Sequence, residues 1–167
     1  ESLGIKVLQI PDVEADDVIG TLATSNYGKN TKVIISSGDK DLAQLVNDNV
    51  TLINSMDEKR LDIGGVIEKF GVHPDKIFDY LVLVGDTSDN IPGVDKIGPK
   101  TAVRLLEKYS SIDGIIENID ALKGKVQENL AKSSQTIKLA KKLIKLKTDV
   151  DVKSVSYTHL TLPTNRE

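Results

Sequence analysis

The chain has 167 residues, enough for one domain that buries roughly 70% of its unfolded surface. It is 39% hydrophobic but only 4% aromatic, so its core must come from Ile, Leu, Val and Ala. The absence of cysteine excludes a disulfide frame and a zinc–thiolate site, and fits a reducing cytoplasm. No apolar run approaches the ~18 residues of a membrane span and no signal peptide is visible, so the expectation is a cytoplasmic protein with no membrane partner. The net charge of -3 hides an asymmetry: residues 1–92 carry 8 Lys/Arg against 16 Asp/Glu, whereas residues 93–147 carry 12 against 6. Two solvated surfaces of opposite sign would explain this. So would a cation site beside a phosphate-binding face.

In chain order, Ile5 to Ile10 predicts a short strand ended by Pro11. Glu14 to about Tyr27 has Val18, Ile19, Leu22 and Ala23 at helical spacing, with Gly28 as the stop. Lys32 to Ser36 predicts a buried strand, Asp39 to Val46 a helix, and Val50 to Ile53 another strand. Strands separated by helices predict an α/β fold, a partial parallel sheet with helical cover. Beyond residue 63 the pattern becomes helical. A helix over 63–70 is closed by Gly71, and His73-Pro74 opens another to about Val84, with Pro74 in the tolerant first turn. Further helices are expected at 99–109, 112–118, 124–132 and 134–147. The segment from Ser156 to Glu167 departs abruptly in style, reads as a non-native extension, and is set aside.

Three acidic groups stand out: Glu14-Ala15-Asp16-Asp17, Asp39-Lys40-Asp41 and Asp86-Thr87-Ser88-Asp89. Asp39 and Asp41 follow a strand, where open α/β sheets place their sites, and residues two apart in an extended turn point the same way. Capping of the next helix would also explain Asp39. Glu14, Asp16 and Asp17 open a helix, where its dipole welcomes negative charge, but three acids in four positions exceed what capping needs. On a regular helix Glu14 and Asp17 share a face and Asp16 does not, so Glu14 is placed in the approach to the helix. Asp86 and Asp89 would be aligned by one helical turn. Converging carboxylates repel, so a fold that gathers them needs a cation, and oxygen donors without Cys favour Mg²⁺ or Mn²⁺ over zinc. His73 reads as a helix-entry residue, and His159 lies in the segment set aside.

The segment Pro92 to Ala102 is punctuated by glycine and bears lysine. A glycine turn before a helix exposes backbone N–H groups to a phosphate oxygen, and Lys96, Lys100 and Arg104 add positive charge. In the last helix Lys138, Lys141, Lys142 and Lys145 form one stripe, opposite Ile137, Leu139, Ala140, Leu143, Ile144 and Leu146. A solvated face accounts for that stripe as well as nucleic-acid contact does.

The stretches Glu14 to Ala23, Gly38-Asp39-Lys40-Asp41-Leu42 and Gly85 to Gly93 together resemble the bacterial 5′–3′ exonucleases of the flap endonuclease superfamily. Within them they are most similar to the amino-terminal nuclease domain of DNA polymerase I. The resemblance covers about residues 1–150 and implies a PIN-like fold and a two-metal mechanism. It implies Glu14, Asp16 and the nearby Asp17 on one metal's side. It places Asp39, Asp41, Asp86 and Asp89 on the other's, the last two divided between direct and water-mediated contact. It makes Gly93 to about Tyr109 a helix–hairpin–helix element gripping duplex backbone through Gly93, Lys96, Gly98, Lys100, Thr101 and Arg104, and seating a monovalent cation. Implied substrates are duplex, nicked and 5′-flap DNA, with RNA primers also in range, handled by a monomer. Residues 1–92 then form the later part of the nuclease core, 93–150 the helical DNA-binding region, and 151–167 a mostly non-native or disordered tail. Two departures are visible: Lys96 stands where the family carries glycine, and about a hundred residues that open the family's domain are not present, so this fragment alone is expected to be inactive. The alternative is a non-catalytic helix–hairpin–helix module that binds duplex DNA without regard to divalent ions.

Overall fold

A computed structural model describes residues 7–25, 31–54 and 59–152. Strand β1 (Val33–Ser36) pairs in parallel with β2 (Val50–Ile53), Val33 opposite Val50, as the strand–helix–strand pattern predicts. A third strand, β3 (Arg60–Leu61), joins β2 antiparallel, so the sheet is mixed. Two residues are too few for periodicity to reveal. Among the described residues β1 is an edge strand and not the buried one expected: Ile35 is buried, but Ile34 is 61% exposed. The expected opening strand partly precedes the described residues, and Val7 to Ile10 form no ladder. Without a partner Val7 stays 78% exposed.

Helix α1 (Ala15–Thr24) ends before Tyr27 because the Thr24 and Ser25 hydroxyls turn back to the Gly20 and Leu22 carbonyls and Ser25 is extended. Gly28, the expected stop, lies outside the described residues. In place of a helix over 39–46 there is a 3₁₀ turn, Asp41–Leu45. The Asp39 carboxylate accepts the Asp41 N–H at 2.9 Å, a local bond that competes with a regular helix start. Helix α2 (Ile63–Phe70) has an Asp62 cap and stops at Gly71 as expected. His73-Pro74 opens a 3₁₀ turn, Pro74–Lys76, that runs into α3 (Ile77–Val84).

A hairpin then pairs β4 (Gly85–Asp86) with β5 (Ile91–Pro92). Helices α4 (Pro99–Tyr109), α5 (Ile112–Glu117), α6 (Lys125–Lys132) and α7 (Ser134–Ile144) follow within a residue or two of expectation, except that α7 stops three residues early where Lys145 turns extended. Helix α3 is the centre of the core. Its Ile77, Leu81, Val82 and Leu83 are at most 1% exposed, and it packs on the 3₁₀ turn, α4 and α7. The segment from Gly93 to Tyr109, where the resemblance implies a helix–hairpin–helix element, contains one helix, α4; directly before it come α3 and the β4–β5 hairpin. The tightness of that hairpin depends on two glycines: a Cβ on Gly93 would stand 2.2 Å from the Val84 carbonyl oxygen, and one on Gly85 would stand 2.3 Å from the Gly93 nitrogen. Among the described residues no helix is long and apolar enough to cross a membrane.

Candidate metal centre and nucleic-acid face

Five of the seven carboxylates singled out in the sequence line one cleft. Glu14 and Asp16 enter from the start of α1, Asp39 and Asp41 from the turn after β1, and Asp89 from the hairpin, around a volume of about 490 Å³. Glu14 is the extended residue before the helix, so it shares the cleft with Asp16 and not the face of Asp17. Carboxylate oxygens of Asp39, Asp41 and Asp89 all lie within 4.8 Å of one another. Oxygens facing each other across a magnesium ion stand about 4.2 Å apart, so the spacing suits a hard cation.

The remaining two acids are turned elsewhere. Asp86 is 1% exposed beneath the cleft and bonds Lys40 Nζ at 2.6 Å through Oδ1, which also accepts the Ser88 N–H at 2.7 Å. The hairpin turn and not a helical one thus sets its relation to Asp89. Asp17 faces away altogether: Oδ1 accepts the Lys147 N–H at 2.8 Å, and Oδ2 lies 3.3 Å from Lys147 Nζ. That bond joins residues 130 positions apart, which local periodicity could not reveal. It is part of a strap in which Val150 N–H donates to Thr21 Oγ1 and Gly20 leaves room for the Lys147 carbonyl.

The electrostatics record the crowding. Burial, then the charges of Asp39, Asp86 and Asp89, push Asp41 up to about 7 against the pull of Lys40. Burial, then the charge and hydrogen bond of Asp39 and the charges of Glu14 and Asp17, raise Asp16 to about 6. For Asp86, burial also acts upward, but bonds from Lys40 and the Ser88 and Asp89 N–H groups, with the Lys40 charge, hold it below the ordinary carboxylate range. Asp41 Oδ1 and Asp86 Oδ2 are buried with no hydrogen-bond partner among the described residues. Unsatisfied buried oxygens in an all-oxygen donor set are what a hard divalent ion would complete. Sequence reasoning missed Lys40, whose place between two aspartates signals little, and the apolar wall of Leu143, Ile144 and Leu146.

The basic residues divide. Lys96, Lys100 and Arg104 are exposed at the hairpin and the start of α4, with Thr101 half-buried. Lys96 adopts a left-handed φ of 57°, a backbone conformation that favours glycine. The Thr101 and Ala102 N–H groups both return to the Gly98 carbonyl, so the turn itself uses part of the donor set expected to face phosphate. On α7, Lys138 and Lys142 are exposed, but Lys141 is paired with Asp113, and Lys145 lies past the helix end. The four-lysine stripe is therefore reduced. Opposite it, Leu139 and Leu143 are half exposed and only Ile137, Ala140 and Ile144 are buried.

Comparison with known proteins matches both parts of the chain to one family. Residues 1–71 match a model described as the 5′-3′ exonuclease N-terminal resolvase-like domain, and residues 72–166 the 5′-3′ exonuclease C-terminal SAM fold. A 5′-3′ exonuclease of Aquifex aeolicus is 47% identical over 150 residues, covering 89% of this chain and 50% of that protein. DNA polymerase I of Pseudomonas aeruginosa is 45% identical over 163 residues, covering 90% of this chain and 17% of that protein. The chain thus spans about half the length of the exonuclease relatives it matches, and less of the DNA polymerase I relative. Among solved structures, a 5′-exonuclease of bacteriophage T5 with bound zinc superposes with a TM-score of 0.78 at 24% identity, covering 88% of this chain and 55% of that one. A bacteriophage T5 flap endonuclease in a pseudo-enzyme-product complex with DNA and metal ions gives 0.79 at 23%, with the same coverage. These two share the fold. With an acidic cleft closed by its own hairpin and matched from end to end by two consecutive models, the chain belongs to the 5′-3′ exonuclease family.

Proposed function

We propose that the chain supplies the later half of a metal-dependent 5′-3′ nuclease centre, together with the surface that holds its duplex. The observation that carries this reading is the approach of Asp39, Asp41 and Asp89 within 4.8 Å, beside carboxylate oxygens buried without partners. Asp39, Asp41 and Asp89 would hold one divalent ion, Mg²⁺ or Mn²⁺, and Glu14 with Asp16 would contribute to a second. Asp86 and Asp17 act behind them. Bound ions would supply the charge that stabilises the attacking and leaving oxygens of an in-line displacement at phosphorus. Asp16 and Asp41, raised to about 6 and about 7, would release protons as an ion enters, so uptake strengthens with pH.

Lys96, Lys100 and Arg104 at the hairpin, and Lys138 and Lys142 on α7, would follow the backbone of duplex, nicked or 5′-flap DNA. RNA primers are substrates of the same geometry. Gly98 and its neighbours would seat a monovalent cation, and the protein would work as a monomer in the bacterial cytoplasm. The α7 wall of the acidic cleft puts the lysines of that helix on the element that borders the metal site, which supports a continuous path for one strand.

Calorimetric titration of Mn²⁺ into the chain, and cleavage of a labelled 5′ flap by the chain extended to its relatives' length, test this. Saturable uptake lost in Asp41→Asn, and flap cutting abolished by Asp41→Ala or Asp89→Ala with DNA binding intact, are expected. Salt-dependent duplex binding that ignores divalent ions would instead favour a non-catalytic binding module.

A further inference from the structure

Among the described residues Lys40 is the one cation inside the acidic crowd, and in sequence it sits between two of the carboxylates it might be thought to neutralise. Its ammonium instead crosses to the hairpin, 2.6 Å from Asp86 Oδ1. Asp86 in turn gathers its own turn, accepting the N–H groups of Ser88 and Asp89. The Asp39–Asp41 turn and the Asp86–Asp89 turn are thereby tied through one lysine. Among the described residues this is the only ion pair between them. Three carboxylates that repel one another are held in register by a fourth that faces away.

The geometry points to Lys40 as a positioning residue of the divalent-ion site, acting through Asp86 to keep Asp89 against Asp39 and Asp41. The inference rests on the metal reading above, but its sign is independent of that reading. If Lys40 were simply a cation competing for the cleft, deleting its charge would tighten divalent binding, because net negative charge around the ion would rise. If it positions Asp89, deleting it weakens binding in spite of that added attraction. The two roles predict opposite directions.

The test is titration of Mn²⁺ into the 167-residue chain, read by calorimetry and by electron paramagnetic resonance of the free ion, with amide exchange at residues 86–89 measured without metal. Lys40→Met should lower Mn²⁺ affinity about tenfold or more, as loss of an orienting partner behind a ligand does, and should speed exchange at Ser88 and Asp89. Lys40→Arg should restore both. Unchanged or tighter Mn²⁺ binding in Lys40→Met overturns the assignment. Should that variant fail to fold, Lys40→Met/Asp86→Asn removes both partners and leaves no unpaired buried charge: weak binding supports the role, and wild-type binding overturns it. Absence of saturable uptake by the wild type would overturn the metal reading and this inference together, whereas uptake equal in wild type and Lys40→Met would overturn the role of Lys40 alone.

Discussion

The acidic cleft and the basic hairpin face handle charge in opposite ways. Asp41 in the cleft and Asp86 beneath it are buried, the carboxylates shift one another's proton affinity, and a lysine and a distant strap bond to members of the acidic groups. On the hairpin and α7, Lys96, Lys100, Arg104, Lys138 and Lys142 stand in water. Like charge gathered away from solvent is costly and cooperative, whereas like charge left in solvent is inexpensive and nearly additive. The first arrangement suits an ion that must be fixed to a fraction of an ångström; the second suits a polyanion met through many weak contacts.

The largest expected effect tests the cooperative side. Burial and the neighbouring carboxylates push Asp41 up to about 7 from the 3.8 ordinary for an aspartate, so the folded state holds this proton more tightly. That stabilisation is complete below about pH 4 and is lost as pH rises through 7, so Asp41 should contribute a loss of about 3 kcal/mol between pH 4 and pH 8, read in urea denaturation as the difference between the metal-free chain and Asp41→Asn. Asp41→Asn should recover most of this at pH 8 and abolish stabilisation by Mn²⁺. A flat profile would mean the carboxylates do not crowd as described. Next, Gly93→Ala drives a Cβ into the Val84 carbonyl and should cost about 2 kcal/mol, read as a lower denaturation midpoint with weakened DNA binding.

Lys96→Gly relieves the left-handed backbone at some expense in unfolded-chain entropy, and should stabilise by about 0.5 kcal/mol in the same assay. The smallest stability effect sharpens the contrast: Lys138→Gln with Lys142→Gln should stay within about 0.5 kcal/mol of wild type. Those two changes should nonetheless flatten the salt dependence of duplex binding by about 1.8 in the log–log slope. A larger loss of stability would show that the basic side is coupled after all.

These differences also explain what could be read from the chain. Asp39 and Asp41 were legible because their spacing and the strand before them are local facts, and so were α2 and its Gly71 stop. Gly93 and Lys96 could be singled out by resemblance, but the carbonyl that presses on one and the left-handed turn of the other are properties of the folded hairpin. Asp17 belongs to the same acidic run as Asp16, yet its partner is 130 residues away. The two-residue strands β3, β4 and β5 are defined by their partners and not by any pattern of their own. Leu139 and Leu143 match the apolar side of a helical stripe and still stay about half exposed, Leu143 at the wall of the cleft, since the packed face of α7 is narrower than the run of apolar residues that marks it.

The strap from Lys147 and Val150 onto α1 has a consequence for the order in which the molecule matures. As the chain leaves the ribosome, Asp17 and Thr21 of the helix bearing Glu14 and Asp16 find their partners only after some 130 further residues have been made. Closure of so long a loop comes late and adds to the contact order of the fold. The strap onto α1 is therefore expected to form later than the shorter-range contacts of the α3 core.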